Sequence, residues 1–256
     1  MTTTTAAANR WIAYRKPRPH ARLRLFCFPY AGGGASIYRT WQAALPPEVE
    51  VCPVQPPGRE NRLSEERFLR VGPFAAAICD ALAPLLDLPF ALFGHSLGAV
   101  VGYETALKLR DEAGKSPLCL LVSARRAPRV PPDDEPTYDL PDAEFRAKLQ
   151  ELEGTPKEVL VHPELMQLVE PLLRADFELN DTYEPSDRPP LACPVTAFGG
   201  LEDPDVAREQ LEPWREVTRG PFRLRMFAGG HFFLQEQQQA LLAAVAQELM
   251  PRLAAT

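Results

Sequence analysis

An α/β fold, with a mostly parallel central sheet flanked by helices, is predicted by three observations. Short apolar runs bounded by turn residues recur along the chain, segments of helical period lie between them, and one long stretch breaks the alternation. The first run, LRLFCF at Leu23–Phe28, reads as a strand that stops at Pro29. EVCPV at 50–54 is the second, with Pro53 marking its end. Residues 69–86 place Val71, Phe74, Ala75, Ile78, Leu82 and Leu85 at helical spacing. A fully apolar strand at 90–93 follows, then a helix at 99–110 with Gly114 near its stop. LCLLVS at 118–123 is continuous in the way of a strand buried on both faces. Val195 to Phe198 and Phe222 to Phe227 are the last strands, and 234–253 closes the chain as an amphipathic helix.

The break runs from about 124 to 190. It opens on the charged, proline-rich RRAPRVPPDDEP and continues with helical pattern at 142–153, 158–161 and 163–180, the last bearing an apolar stripe of Leu165, Leu168, Val169, Leu172 and Leu173. Helices inserted between two strands of an open sheet suit a lid over the strands' carboxyl ends, where such sheets bind ligands. The 256 residues therefore read as one domain, 22–256, carrying that lid, behind a loose N-terminal tail at 1–21.

Bulk composition narrows the function. A net charge of −6 argues against a nucleic-acid face. Five cysteines, Cys27, Cys52, Cys79, Cys119 and Cys193, make an odd number without a C-x-x-C pair, so neither a disulfide framework nor a zinc site is expected. The opening residues lack the basic-then-apolar order of a secretory signal, and no run approaches the roughly 18 apolar residues of a membrane span. A cytoplasmic protein without a membrane partner is the expectation.

Gly94-His95-Ser96-Leu97-Gly98 carries the chemistry. This G-x-S-x-G pentapeptide sits between a strand and a helix, the context of a nucleophile elbow. Gly94 and Gly98 allow strand and helix to approach closely, Ser96 is presented above the sheet edge, and the Leu97 N–H at the helix start can stabilise an oxyanion. Of the four histidines, His20 lies in a basic, proline-rich stretch, His95 occupies a variable elbow position, and His162 precedes Pro163 as a helix-entry residue. His231 follows the last strand and the Gly229-Gly230 pair, where a loop can bring an imidazole to the sheet's carboxyl edge. The acid is sought after a strand between them. Glu202, Asp203 and Asp205 follow the strand at 195–198; Asp203 is the choice, Asp205 the runner-up, and Glu202 is read as solvated. The order Ser, acid, His is that of the α/β-hydrolase fold. A second oxyanion donor is expected from the loop after the first strand, Phe28-Pro29-Tyr30-Ala31-Gly32-Gly33-Gly34, with Ala31 preferred over Tyr30. No G-K-[ST] follows this glycine run, which argues against a nucleotide site.

Taken together, these residues resemble the type II thioesterases associated with polyketide and nonribosomal peptide synthetases. The resemblance runs from about residue 22 to the end. It rests on FCFPYAGG (26–33), VQPPGRENR (54–62), FGHSLGA (93–99), LVSARRAP (121–128), LPDAEF (140–145), LRADF (173–177), FGGLEDPDV (198–206) and FAGGHFFL (227–234). Pro56 departs from the leucine often found there in the family. The resemblance assigns Ser96, Asp203 and His231 as the triad. It implies a mobile helical lid and a substrate carried on the phosphopantetheine arm of a carrier protein, from which stalled or aberrant acyl groups are removed. No metal or organic cofactor is expected, and the protein is expected to be a monomer. Arg125, Arg126 and Arg129 at the start of the lid are candidates to meet the arm's phosphate or an acidic carrier. The rivals are a carboxylesterase on free esters, an acyltransferase that passes the acyl group to an amine or alcohol, and a non-enzymatic binding protein.

Overall fold

A computed structural model describes residues 10–133, 135–152, 154 and 157–254. Six strands form one sheet in the order β2-β1-β3-β4-β5-β6, every neighbouring pair parallel. They are β1 (Leu23–Phe28), β2 (Val49–Pro53), β3 (Phe90–His95), β4 (Leu120–Ser123), β5 (Val195–Gly200) and β6 (Phe222–Phe227). The helices relevant to function are α1 (Val71–Leu82), α2 (Leu97–Ala113), α3 (Asp142–Glu151), α4 (Lys157–Leu160), α5 (Pro163–Asp181) and α6 (Gln238–Leu253).

The continuous apolar runs are explained by burial on both faces, the condition of a parallel sheet covered by crossover helices. Alternate residues of a strand serve opposite layers. Phe26, Phe28, Leu92, Leu120 and Val122 face the layer built with α1 and α2. Leu25, Cys27, Phe93 and Leu121 face the layer of Trp41, Tyr38 and the α6 residues Leu241, Val245 and Leu249. The helices inserted between β4 and β5, expected to act as a lid, have a small core of their own around Phe145, Leu149, Met166 and Leu173.

The expected strands and principal helices are present, with shifted ends. The helix expected at 69–86 is α1 followed by a 3-10 turn, Ala83–Leu85. The closing helix is interrupted at Gln237, between a short turn at Phe233–Glu236 and α6. The helix expected at 142–153 forms as α3, while Glu153 lies outside the described residues. One expectation is corrected. Residues 10–21 are not a loose tail, because Ile12 is buried and bridges Val54, and Arg18 binds Glu50 and the carbonyl of Pro46. Residues 1–9 lie outside the described set. Among the described residues no helix is long and apolar enough to cross a membrane.

The cysteines are free, and four of the five are buried. Burial lifts the Cys52 and Cys119 thiols to about 12 and those of Cys79 and Cys193 to about 11. They are inert packing groups at neutral pH.

Candidate active site

Ser96 sits between β3 and α2 with φ 52° and ψ −121°, a left-handed conformation that side chains avoid unless held. Its N–H donates to the Ser123 carbonyl at 2.8 Å, and its own carbonyl accepts the Ala99 N–H at 2.9 Å. The two flanking glycines leave no alternative. A Cβ on Gly94 would lie 2.1 Å from the Gly98 carbonyl oxygen, and one on Gly98 would lie 2.2 Å from that of Phe28. The serine therefore rides on the N-terminus of a 17-residue helix, whose dipole favours negative charge there.

Behind the cavity that Ser96 lines, His231 Nδ1 bonds Asp203 at 3.0 Å (Oδ2) and 3.2 Å (Oδ1). The Asp203 side chain is fully buried, and its Oδ1 also accepts the N–H groups of Asp205 (2.9 Å) and Val206 (3.1 Å). The Glu202 N–H donates to the Gly229 carbonyl at 3.0 Å, tying the acid loop to the histidine loop. Asp205 Oδ2 stands 3.9 Å from His231 Nδ1, and Glu202 is exposed. Asp203, Asp205 and His231 form a group of metal-ligand type, their donor atoms within 4.8 Å of one another. Asp203 Oδ1 already takes two amides, the pattern of a carboxylate spent on orienting an imidazole.

His95 is wholly buried beneath this pair. Its Nδ1 lies 2.9 Å from Ser123 Oγ, and its ring packs edge-on against His231 with centroids 5.5 Å apart. Burial, reinforced by His231, holds its imidazole well below the usual histidine range. His162 caps α5 ahead of Pro163, and His20 is exposed.

Ala31 lines the same cavity. It occupies the second position of a turn closed by the Gly33 N–H on the Tyr30 carbonyl (2.9 Å), with Gly32 at φ 76°, as a type II turn requires. Among the described residues, the N–H groups of Ala31 and Leu97 have no acceptor.

The cavity, about 200 Å³, runs beneath the lid. Leu149, Leu152, Leu173, Phe177 and Phe232 form an apolar wall. The exposed lining residues Pro132, Asp133, Glu135, Pro136 and Gly154 mark its mouth.

The three arginines do not form one patch. Arg125 is 6% exposed, its Nη1 bound to Asn180 Oδ1 and its carbonyl taken by Trp214 Nε1 at 2.7 Å. Arg125, two residues past β4, is shut off from the outer surface but lines the cavity together with Ser96 and Arg126. Burial, with Arg126 nearby, lowers its guanidinium to about 9. Arg126 is half-buried and lines the cavity, while Arg129 is exposed and pairs with Asp187 at 3.1 Å. Sequence reading passed over Asp176 and Arg59 as interacting groups. Both lie in the quoted motifs LRADF and PPGR, but 117 positions separate them, and no local pattern reveals their pairing.

Residues 23–249 match the family model described as a thioesterase domain. The chain is 42% identical over 252 residues to "Linear gramicidin dehydrogenase LgrE" of Brevibacillus parabrevis, covering 97% of this chain and 96% of that one. It is 39% identical to "Thioesterase PikA5" of Streptomyces venezuelae, covering 94% and 85%. The solved structure of "RedJ-Thioesterase from the Prodiginine biosynthetic pathway in Streptomyces coelicolor" superposes with a TM-score of 0.85 at 40% identity, covering 91% of this chain and 92% of RedJ.

Proposed function

The chain belongs to the thioesterase family, and from that membership we propose that it is a type II thioesterase that frees acyl groups from the phosphopantetheine arm of carrier proteins in polyketide or nonribosomal peptide synthesis. One observation carries the catalytic part. Ser96 is strained at a helix N-terminus in the cavity that His231 also lines, and the imidazole is fixed through Nδ1 by a buried carboxylate.

In the first step Ser96 Oγ attacks the thioester carbonyl and passes its proton to His231 Nε2. The oxyanion is held by the Ala31 and Leu97 amides. Collapse breaks the C–S bond, and the pantetheine sulfur leaves with the proton from His231. A water molecule, deprotonated by the same imidazole, then attacks the acyl-serine, and the free acid departs as Ser96 regains its proton. Asp203 keeps the imidazole in the tautomer that presents Nε2 and stabilises its charged form. The apolar wall from Leu149 to Phe232 suits the acyl chain. The arm enters past the exposed lining residues Pro132, Asp133, Glu135, Pro136 and Gly154, and Arg126 lines the same cavity.

The name of LgrE suggests redox chemistry. Neither glycine turn of this chain, at 32–34 or 94–98, has the G-x-G-x-x-G spacing of a dinucleotide site, so hydrolysis is preferred.

A panel of acyl groups loaded on a carrier protein tests the proposal, with free acid and intact enzyme mass measured. Wild type is expected to release acid and to show a transient mass increase equal to the acyl group. Ser96→Ala is expected to lose both. Equal release by Ser96→Ala defeats the serine mechanism. Faster turnover of matched oxyesters, or transfer to added amines or alcohols, would point to an esterase or an acyltransferase.

A further inference from the structure

The loop bearing Ala31 is anchored by the lid. Asp176 of α5, 1% exposed, accepts the Gly32 N–H on Oδ2 at 2.7 Å. Arg59 grips the same carboxylate with both ends of its fork, Nη1 to Oδ2 at 2.7 Å and Nη2 to Oδ1 at 2.8 Å. Arg59 Nη1 also donates to the Gly33 carbonyl at 2.9 Å. The arginine is steadied in turn, because its carbonyl accepts from Gln55 Nε2 (3.1 Å), whose Oε1 receives the Ala35 N–H (2.7 Å). The Gly32 amide, the Gly33 amide and the Gly33 carbonyl are therefore all engaged, and Ala31 N–H is left at the cavity.

A buried ion pair is by itself weak evidence for stability, since desolvation offsets its attraction. Here the position is informative. Both partners act on the backbone of one loop, and one of them belongs to the lid. The exposed lid–body pair, Arg70 with Glu178, bonds outside that loop, Arg70 also donating to the Leu69 carbonyl, and serves as an internal comparison.

We infer that Asp176 and Arg59 are positioning residues for the oxyanion hole. The seated lid helix sets the direction of the Ala31 amide through Gly32 and Gly33. With α5 lifted, the carboxylate leaves the Gly32 N–H and the Arg59 fork, and the loop loses the constraint. Oxyanion stabilisation is then available when the lid covers the acyl group and weakened when the cavity is open to water. This coupling rests on Ala31 being an oxyanion donor, as proposed above.

Asp176→Asn keeps the side-chain volume and an acceptor but removes the charge that holds Arg59. Arg59→Lys keeps charge and removes the fork. Glu178→Gln loosens the lid without touching the loop. Each is assayed for kcat and KM on an acyl thioester, for inhibition by an alkylboronic acid that forms an anionic tetrahedral adduct on serine, and for its unfolding midpoint. Asp176→Asn and Arg59→Lys are expected to lower kcat about 10- to 100-fold and to weaken the boronate in parallel. KM should stay within about threefold, the mark of an interaction made in the transition state. Glu178→Gln should change each value less than about twofold, as an exposed pair does. Unchanged boronate affinity in a folded Asp176→Asn or Arg59→Lys protein overturns the inference, as does an equal effect of Glu178→Gln. If Asp176→Asn does not fold, Arg59→Lys decides. Ser96→Ala is run alongside. Its full activity would sink the serine mechanism itself, whereas an inactive Ser96→Ala beside fully active Asp176→Asn and Arg59→Lys removes the lid–loop coupling alone.

Discussion

Ser96, Asp203 and His231 are single residues whose proposed roles depend on neighbours that do no chemistry. His95 is the clearest case. It touches His231 edge-on and Ser123 through Nδ1, and its burial keeps it neutral. The folded-state pKa is depressed below the unfolded value of about 6.5. Its contribution is thus fully present above pH 6.5 and is lost as pH falls below that value, because the unfolded chain takes up the proton first. The loss approaches about 1.4 kcal/mol per pH unit until the folded state also protonates. Urea unfolding at pH 7.5, 6.5 and 5.5 should show a shallower decline for His95→Gln than for wild type. Parallel pH slopes would contradict the assignment of this residue as a neutral structural imidazole. The sequence offered the serine through its glycine frame and His231 through its place after the last strand. It preferred Asp203 with Asp205 as runner-up, because two carboxylates so close in one loop differ in direction rather than in spacing.

At the scale of the element, the strand–turn–helix unit from β3 to α2 is the part most completely legible beforehand. Gly94 and Gly98 are demanded by backbone contacts that any sequence folding this way must satisfy. Gly98→Ala forces a methyl to 2.2 Å from the Phe28 carbonyl oxygen, and it should destabilise the protein by about 3 kcal/mol, the upper end for overpacking, because the contact is with backbone. Gly72→Ala, in α1 with nothing within 4 Å of the new Cβ, should instead stabilise by roughly 0.5–1 kcal/mol. Urea midpoints of the two variants measure the contrast. The lid helices were also foreseen, since the stripe of α5 has helical period. Their seating was not. Leu173 reaches the lid core while Leu165 and Leu168 remain 44% and 53% exposed, a division that periodicity alone does not make. The N-terminal stretch misled for a related reason. Basic, proline-rich residues read as loose, yet Arg18 and Ile12 find carboxylate, carbonyl and strand partners that are distant in sequence.

For the whole molecule, a net charge of −6 would oppose the acidic carrier proposed as its partner. Long-range repulsion would have to be offset locally, and the exposed Arg129, four residues after the cavity-lining Arg125, is a candidate for that. Arg129→Glu should raise KM for a carrier-bound acyl group by about three- to tenfold, leaving a small acyl thioester unaffected. An unchanged KM on the carrier would remove Arg129 from the docking surface. Sequence alone determined the strand runs, the elbow, the histidine after the final strand and the family likeness, because each is written in local spacing, where sterics and side-chain period act within a few residues. Tertiary structure decided that Arg125 is buried at the cavity rather than set on the outer surface, that Asp203 is held against the imidazole by two backbone amides, and that Asp176 meets Arg59 across 117 positions. Those outcomes depend on which groups are brought together and shut away from water, and the folded chain sets that through contacts that no short window of sequence contains.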